Sequence, residues 1–379
     1  MINVDRLCQE FARLCTISSP SRHEGAISAY LQRRFAALGG QVEVDASQAQ
    51  TGSESGNLII RFAGHGTPQE PLLLSAHMDT VSPAQNVRPI LENGVFRSAG
   101  ETILGADDKS GVAQIIEVVE TLQEQQLDYP PLEIVLTVCE EIGLLGAKFL
   151  DYSVLRAKQG LVLDTSGVGT VARQAPCANR LSVVIEGLEA HAGLDPEHGI
   201  SAIQVAARAI AAMRLGRVDG ETTANIGLIE GGHATNIIPN RVTLKGEARS
   251  FDAERLQRQT QHLCDCLQQA AEQSEIEVHG RKRRAQVRIE VANDYPLMNV
   301  APEAEVLCRL RQAAASIGQF LEVGRSGGGS DANLFNQHGI VTANLATGMQ
   351  KVHSVEEFIR VEDLAAVCRL LLAFVRSGC

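Results

Sequence analysis

Apolar residues along the chain follow two rhythms, and the change from one to the other outlines the fold. Val4, Leu7, Phe11 and Leu14 recur at helical spacing. A capping box formed by Ser21 and Glu24 then predicts a second helix carrying Ile27, Leu31 and Phe35. Short β-branched runs at 41–44, 57–62 and 72–76 read as strands, the last ending in His77-Met78-Asp79. Gly105 to Gly111 opens a helix with Val112, Ile115, Ile116, Val119 and Leu122 on one stripe. After Pro130-Pro131, Ile134 to Val138 is continuously apolar, as in a strand covered on both faces, and stops at Glu140-Glu141. Leu161 to Leu163 is a further apolar run, ending in Asp164.

From Arg180 the rhythm changes. Leu181, Val183 and Ile185 alternate as in a half-exposed strand, and a helix follows with Ile203, Ala206, Ile210 and Met213. Strands near 223–230 and 241–250, an Asp252-capped helix with Leu256, Leu263 and Leu267, and a last strand within 275–291 complete a βαββαβ order. The run Arg281 to Arg284 reads as a solvated turn or a charge-defended edge strand. Near Asn293 the first texture resumes: a helix with Val306, Leu310, Ala313 and Ile317, a loop Gly327-Gly328-Gly329-Ser330, a strand at 340–346, and a closing helix with Leu364, Val367, Leu371 and Phe374. The prediction is a two-domain α/β protein. Residues 1–178 and 293–379 form a mixed sheet flanked by helices, and 179–292 an inserted ferredoxin-like domain.

Composition narrows the function. The 379 residues are 44% apolar and 21% charged, ordinary values for a globular protein. A net charge of -11 disfavours nucleic acid or an anionic membrane as partner. No stretch approaches the ~18 continuous apolar residues of a spanning helix, and the start lacks a basic region followed by an apolar one, so a cytosolic protein is expected. Nine cysteines in a long chain, mostly inside apolar segments, argue against a disulfide framework. Cys264 and Cys266 would point to different helix faces and make no zinc knot.

Three predicted strands end in acids or an acid with histidine: His77 with Asp79, Glu140 with Glu141, and Asp164. In open α/β sheets that edge binds ligands, and adjacent like charges call for a cation. In an extended segment residues i and i+2 share a face, so His77 and Asp79 can aim at one point. Asp107, in the first turn of its helix, and His353, in a polar loop after the 340–346 strand, complete the set. Imidazole plus carboxylate suits zinc, manganese or cobalt better than magnesium or calcium. Five ligands with one bridging acid would serve two ions, and a free carboxylate would still be needed to move a water proton. One of Glu140 and Glu141 therefore stays outside the metal shell, and the residue types do not say which. The glycine loop could cradle phosphate, or equally a substrate carboxylate or carbonyl; its spacing matches neither common nucleotide motif.

Several segments together resemble the M20 metallopeptidase family, in its peptidase T and tripeptide-aminopeptidase branch. They are Ser75-Ala76-His77-Met78-Asp79, Gly105-Ala106-Asp107-Asp108-Lys109, Glu140-Glu141-Ile142-Gly143, Leu163-Asp164, Glu189-Ala190-His191-Ala192-Gly193, Thr235-Asn236-Ile237-Ile238-Pro239, Glu247-Ala248-Arg249-Ser250, Gly328-Gly329-Ser330-Asp331 and Val352-His353-Ser354. The resemblance implies a zinc-exopeptidase-like catalytic domain with the smaller domain as a lid. It implies that His77, Asp107 and Asp164 hold one metal, that Asp107 bridges, and that Glu141 and His353 complete the second shell. Glu140 becomes the general base and Asp79 the group that orients His77. In the lid, His191 would reach the reacting carbonyl, in some members across a dimer, while Asn236 and Arg249 bind a substrate carboxylate; Gly328 and Ser330 join the substrate contacts. A cis peptide at Asp107-Asp108 is a further family expectation. The M42 aminopeptidases are excluded, since too few residues separate Asp79 from Asp107 to hold their inserted domain. The expected protein is a cytosolic two-metal aminopeptidase for short peptides, tripeptides foremost, with zinc in both sites and a homodimer formed through the lid. Another M20 amidohydrolase, such as a carboxypeptidase or N-acyl amino acid deacylase, is the alternative within the enzymes. A silent peptide-binding protein and a nucleotide-binding protein are the alternatives outside them.

Overall fold

The computed structural model describes residues 1–66 and 69–377. The chain divides into two units, Met1–Ala175 with Met298–Cys379, and Pro176–Leu297.

The first unit is built on a nine-stranded mixed sheet. Its order runs Gln41–Val44, Leu58–Phe62, Leu132–Thr137, Leu72–His77, Gln159–Thr165, Val341–Ala346, Thr170–Ala175 and Met298–Asn299, and Glu322–Arg325 pairs with Thr170–Ala175. The four strands from Leu132–Thr137 to Val341–Ala346 are mutually parallel, and antiparallel strands flank them. Every residue of Leu72–His77 and Leu132–Thr137 is buried, which is why both read as continuous apolar runs instead of alternating ones. Helices Val4–Thr16, Ala106–Glu124, Glu305–Ser316 and Val361–Arg376 pack on one another and on the sheet around Leu74, Ile134, Leu136, Val162 and Leu345. A small second sheet, Met349–Gln350, Phe358–Arg360, Val95–Ser98 and Pro89–Glu92, was not visible in the apolar pattern because its strands are too short to show a period.

Two helical expectations are corrected. The capping box of Ser21 and Glu24 does not form: the helix is Gly25–Ala37, with Glu24 at its N-cap and no side-chain cap bond. Both side chains are recruited elsewhere, as described below. Helix Ala106–Glu124 is buried on nearly every side, so the Val112 stripe is only part of its covered surface. Gln114 and Glu117 occupy the rest. Gln114 donates to the carbonyls of Thr347 and Leu364, and Glu117 accepts from Arg6.

The second unit pairs Thr222–Gly231, Arg241–Ser250, Cys177–Glu186 and Gln286–Tyr295 in that order, all antiparallel, with helices Ala202–Ala212 and Ala253–Glu272 packed against the sheet. The strand order is that of a split βαβ sandwich. Its limits are wider than 179–292, because Gln286–Tyr295 stays paired with Cys177–Glu186 through a bulge between Asn293 and Tyr295. The expected single strand over 275–291 is instead a hairpin, Glu275–Val278 with Arg281–Arg284, followed by Gln286–Tyr295. His279 and Gly280 both have positive φ, as a two-residue hairpin turn of this twist requires. The basic run is the exposed second strand of that hairpin. Helix Ala202–Ala212 buries Ala202, Val205, Ala206 and Ala209; of the expected stripe, Ala206 and Met213 are buried and Ile210 packs against the core, whereas Ile203 is exposed. Small side chains let that helix approach the sheet closely, and total apolarity did not reveal it.

Gly160 faces Leu73 across two parallel strands, and an added Cβ would lie 2.0 Å from the Leu73 carbonyl oxygen. Gly160→Ala is expected to destabilise the protein by on the order of 2 kcal/mol or more. A calorimetric melt checks this, and an unchanged midpoint would contradict the close packing of these strands.

Candidate metal centre

The four parallel strands end at one sheet edge, and each leads into part of the site. His77 is the last residue of Leu72–His77, and Asp164 lies near the end of Gln159–Thr165. Glu140 and Glu141 follow Leu132–Thr137, and His353 follows Val341–Ala346 by way of Met349–Gln350. Asp107 enters from the first turn of helix Ala106–Glu124, where Asp107 and Asp108 depart from helical geometry and the peptide between them is cis.

These side chains form two clusters. One potential ligand atom from each of His77, Asp107 and Asp164 lies within 4.8 Å of the others, and the same holds for Asp107, Glu141 and His353. His77 Nε2 is 3.0 Å from Asp107 Oδ1 and 3.8 Å from Asp164 Oδ1. His353 Nε2 is 3.2 Å from Asp107 Oδ2 and 3.0 Å from Glu141 Oε2. The two oxygens of Asp107 are thus divided between the clusters. Glu141 Oε1 is buried without a hydrogen-bond partner among the described residues. The donor set fits a divalent cation in each cluster: neutral imidazole and carboxylate oxygen, converging, with lone pairs left over.

Electrostatics point the same way. Burial alone would raise Asp107, yet the bonds to His353 and His77 hold its carboxyl below the usual range. Asp164 is pushed well up by burial and then by Asp107. His353 rises to about 10 through its bonds to Asp107 and Glu141. Burial would lower His77, but Asp107 and Asp79 raise it. Carboxylates that draw a proton onto each ring would equally draw a metal cation, which competes with that proton.

The surrounding carboxylates are of a different kind. Asp79 Oδ1 accepts from the Glu140 N–H at 2.9 Å, and Oδ2 accepts from the Glu141 N–H at 3.2 Å and from Ser21 Oγ at 2.6 Å. Asp108 accepts from the N–H groups of His77 and Gly111, both at 3.2 Å. Glu357 accepts from those of Leu104, Gly105 and Asp107 at 2.7–2.9 Å. Each of these acids holds backbone. The carboxylates of Asp107, Asp164, Glu140 and Glu141 accept no backbone N–H among the described residues, so their lone pairs remain for the site.

His77 is oriented chiefly by a main-chain group. Its Nδ1 donates to the Asp79 carbonyl at 2.9 Å, while the Asp79 carboxylate is 3.5 Å away. A carbonyl only accepts, so Nδ1 carries the hydrogen and Nε2 presents a lone pair in the neutral ring.

His191, Asn236 and Arg249 belong to the second unit. His191 pairs with Ile237, and the Ala192 N–H donates to the Asn236 carbonyl at 2.9 Å, so His191 and Asn236 lie on neighbouring segments. His191 Nδ1 accepts from the N–H groups of Gly193 and Leu194, leaving Nε2 to carry the ring hydrogen. Arg249, on strand Arg241–Ser250, donates to Glu247 at 2.9 Å, and its Nε is buried without a partner among the described residues. In the glycine loop, Gly328 N–H donates to Ser326 Oγ, and Ser330 sits in a capping box with Asn333 and accepts from Asn344.

Several supporting residues were missed in the sequence. Asn344 clamps Asp164, accepting from its N–H at 2.9 Å and donating to its carbonyl at 2.7 Å; a polar residue inside a buried apolar strand was the available signal. Asp331 is buried, accepts from Thr137 Oγ1, and is raised to about 6 by burial. Glu357 carried no pattern at all.

Comparison with known proteins decides the family. Residues 73–377 match the model of peptidase family M20/M25/M40. The chain belongs to this family. It is 41% identical to the uncharacterised protein YqjE of Bacillus subtilis over the full length of both chains. It is similar in structure to aminopeptidase PepT of Bacillus cereus, with a TM-score of 0.88, 39% identity and coverage of 99% of this chain and 98% of the other. It is also similar to a tripeptidase of Staphylococcus aureus, with a TM-score of 0.93, 37% identity and the same coverage. The M20 protein is a hydrolase of the peptidase class, and the α/β fold expected from its sequence is the fold of these relatives. No helix among the described residues is long and apolar enough to cross a membrane.

Metal analysis of protein purified without chelator is expected to return about two divalent ions per chain. Asp107→Ala, which takes one oxygen from each cluster, should lower occupancy of both sites, and His353→Ala of one only. Equal losses in the two variants would contradict the division between clusters.

Proposed function

We propose that the M20 protein is a two-metal aminopeptidase that removes the N-terminal residue of short peptides, tripeptides foremost. The observation that carries this reading is a pair of clusters sharing Asp107, beside a buried carboxylate, Glu140, that belongs to neither. His77, Asp107 and Asp164 would hold one ion and Asp107, Glu141 and His353 the other; zinc is the ion we assign, with cobalt and manganese as alternatives. When bound, such a pair supplies Lewis acidity toward a peptide carbonyl and acidity to a water.

Glu140 is the general base. It accepts the proton of the attacking water and returns it to the departing amine nitrogen. Burial first, and Asp164 second, raise its carboxyl well above the ordinary value. Asp79 positions the base by binding its backbone N–H and fixes His77 through its carbonyl. We assign His191, Asn236 and Arg249 to substrate, His191 through its Nε2 hydrogen toward the reacting carbonyl and the other two toward a substrate carboxylate. Gly328 and Ser330 complete the substrate contacts. The names of the B. cereus aminopeptidase and the S. aureus tripeptidase support the choice of substrate. We read the enzyme as cytosolic and as a homodimer through its second unit.

Glu140→Gln is expected to abolish turnover while both metals stay bound, read by peptide hydrolysis beside metal analysis; full activity in that variant would sink the mechanism. A free tripeptide assayed beside its N-acetylated and C-amidated forms tests the specificity. An aminopeptidase loses the N-acetylated substrate. Retention of it would point to a deacylase or carboxypeptidase of the same family.

A further inference from the structure

The segment that carries the base is held at four consecutive N–H groups by side-chain oxygens. Val138 N–H donates to Asn57 Oδ1 at 3.1 Å, Cys139 N–H to Glu24 Oε1 at 3.0 Å, and the N–H groups of Glu140 and Glu141 to the two oxygens of Asp79. Cys139 is the unusual member. Its φ of 54° lies in the left-handed region that a side chain disfavours. Glu24 also accepts from Cys139 Sγ at 3.3 Å, so one carboxylate oxygen takes both donors of that residue.

Glu24 itself is fully buried and fixed from the other side. Oε1 also accepts from the Arg22 N–H at 3.0 Å, and Oε2 accepts from Ser53 Oγ. Ser53 Oγ accepts in turn from the Ser55 N–H at 3.2 Å. A buried carboxylate at a helix N-cap that makes no cap bond, and reaches a strand-end loop instead, needs a reason for being there. Bonds to both donors of Cys139 supply one: they hold the left-handed turn that leads into Glu140 and Glu141.

We infer that Glu24 is a positioning residue for the base, acting through the backbone of Cys139. This rests on the assignment of Glu140 as base. Glu24 is fully buried, out of reach of a substrate, and belongs to neither metal cluster. Its shortening to Asp withdraws the acceptor from Cys139 and lets Glu140 drift from the reacting water, and a misplacement of about 1 Å costs on the order of 100-fold.

The test compares Glu24→Asp, Glu24→Gln and Glu140→Gln on the metal-loaded protein, with kcat expressed per metal-loaded chain. Glu24→Asp is expected to lose about 10-fold or more in kcat with KM and metal content unchanged, whereas Glu24→Gln, which keeps length and an acceptor oxygen, loses no more than about 3-fold. Unchanged kcat in Glu24→Asp would overturn the inference. So would a loss of kcat accompanied by loss of metal, which would place Glu24 in support of the ligands and not of the base. Should Glu24→Asp not fold, Ser53→Ala frees Oε2 instead; a lower kcat at full metal content supports the inference, and an unchanged one overturns it. Full activity in Glu140→Gln would mean that the base assignment itself has failed, whatever the Glu24 variants do.

Discussion

Crowding of like charge at one sheet edge is the constraint on which the first unit depends. Asp79, Asp107, Asp108, Glu140 and Asp331 are buried there, Asp164 and Glu141 lie partly buried among them, and among the described residues two imidazoles face the group, His77 buried and His353 exposed. Buried carboxylates without compensation are costly. The fold divides the compensation by type. Asp79, Asp108, Glu24 and Glu357 receive backbone N–H groups, and in accepting them they tie the loops at 22, 77, 104–107 and 139–141 in place. Asp107, Asp164, Glu140 and Glu141 receive none among the described residues; imidazole faces Asp107, Asp164 and Glu141, and their remaining lone pairs are of the kind a divalent cation would take. One set of acids builds the edge, and the other is left free to act on it.

That division explains what the sequence discloses. A carboxylate at the end of a buried strand interrupts an apolar run, so Asp164 and the Glu140-Glu141 pair stand out beside hydrophobic neighbours. The parallel strands are equally legible, since burial on both faces leaves an unbroken apolar run. An acid that satisfies backbone donors interrupts nothing. Glu24 reads as half of a capping box and Glu357 shows no pattern, because the donors they serve come from segments distant in sequence, such as Cys139 for the one and Leu104 for the other. In the second unit the hairpin at 275–284 was lost for a related reason. Its turn depends on two positive φ values at His279 and Gly280, and histidine is a weak sign of that geometry.

The adjacent pair Glu140 and Glu141 shows why the supporting acids matter. Consecutive residues in extended chain point to opposite faces of a sheet. If the 132–137 strand simply continued, one of the pair would face away from the site. Cys139 turns the chain through the left-handed region, and the Glu140 carbonyl then accepts from the N–H groups of Gly143 and Leu144, closing a tight turn. Within that turn both carboxylates stay at the sheet edge and differ in surroundings: Glu141 meets His353, while Glu140 lies within the field of Asp164 and Asp331. A pattern of apolar and polar positions can require two acids to have separate roles, but it cannot order them. Their different surroundings follow from the backbone path, and that path is held by oxygens of Asn57, Glu24 and Asp79 reaching in from other segments of the same unit.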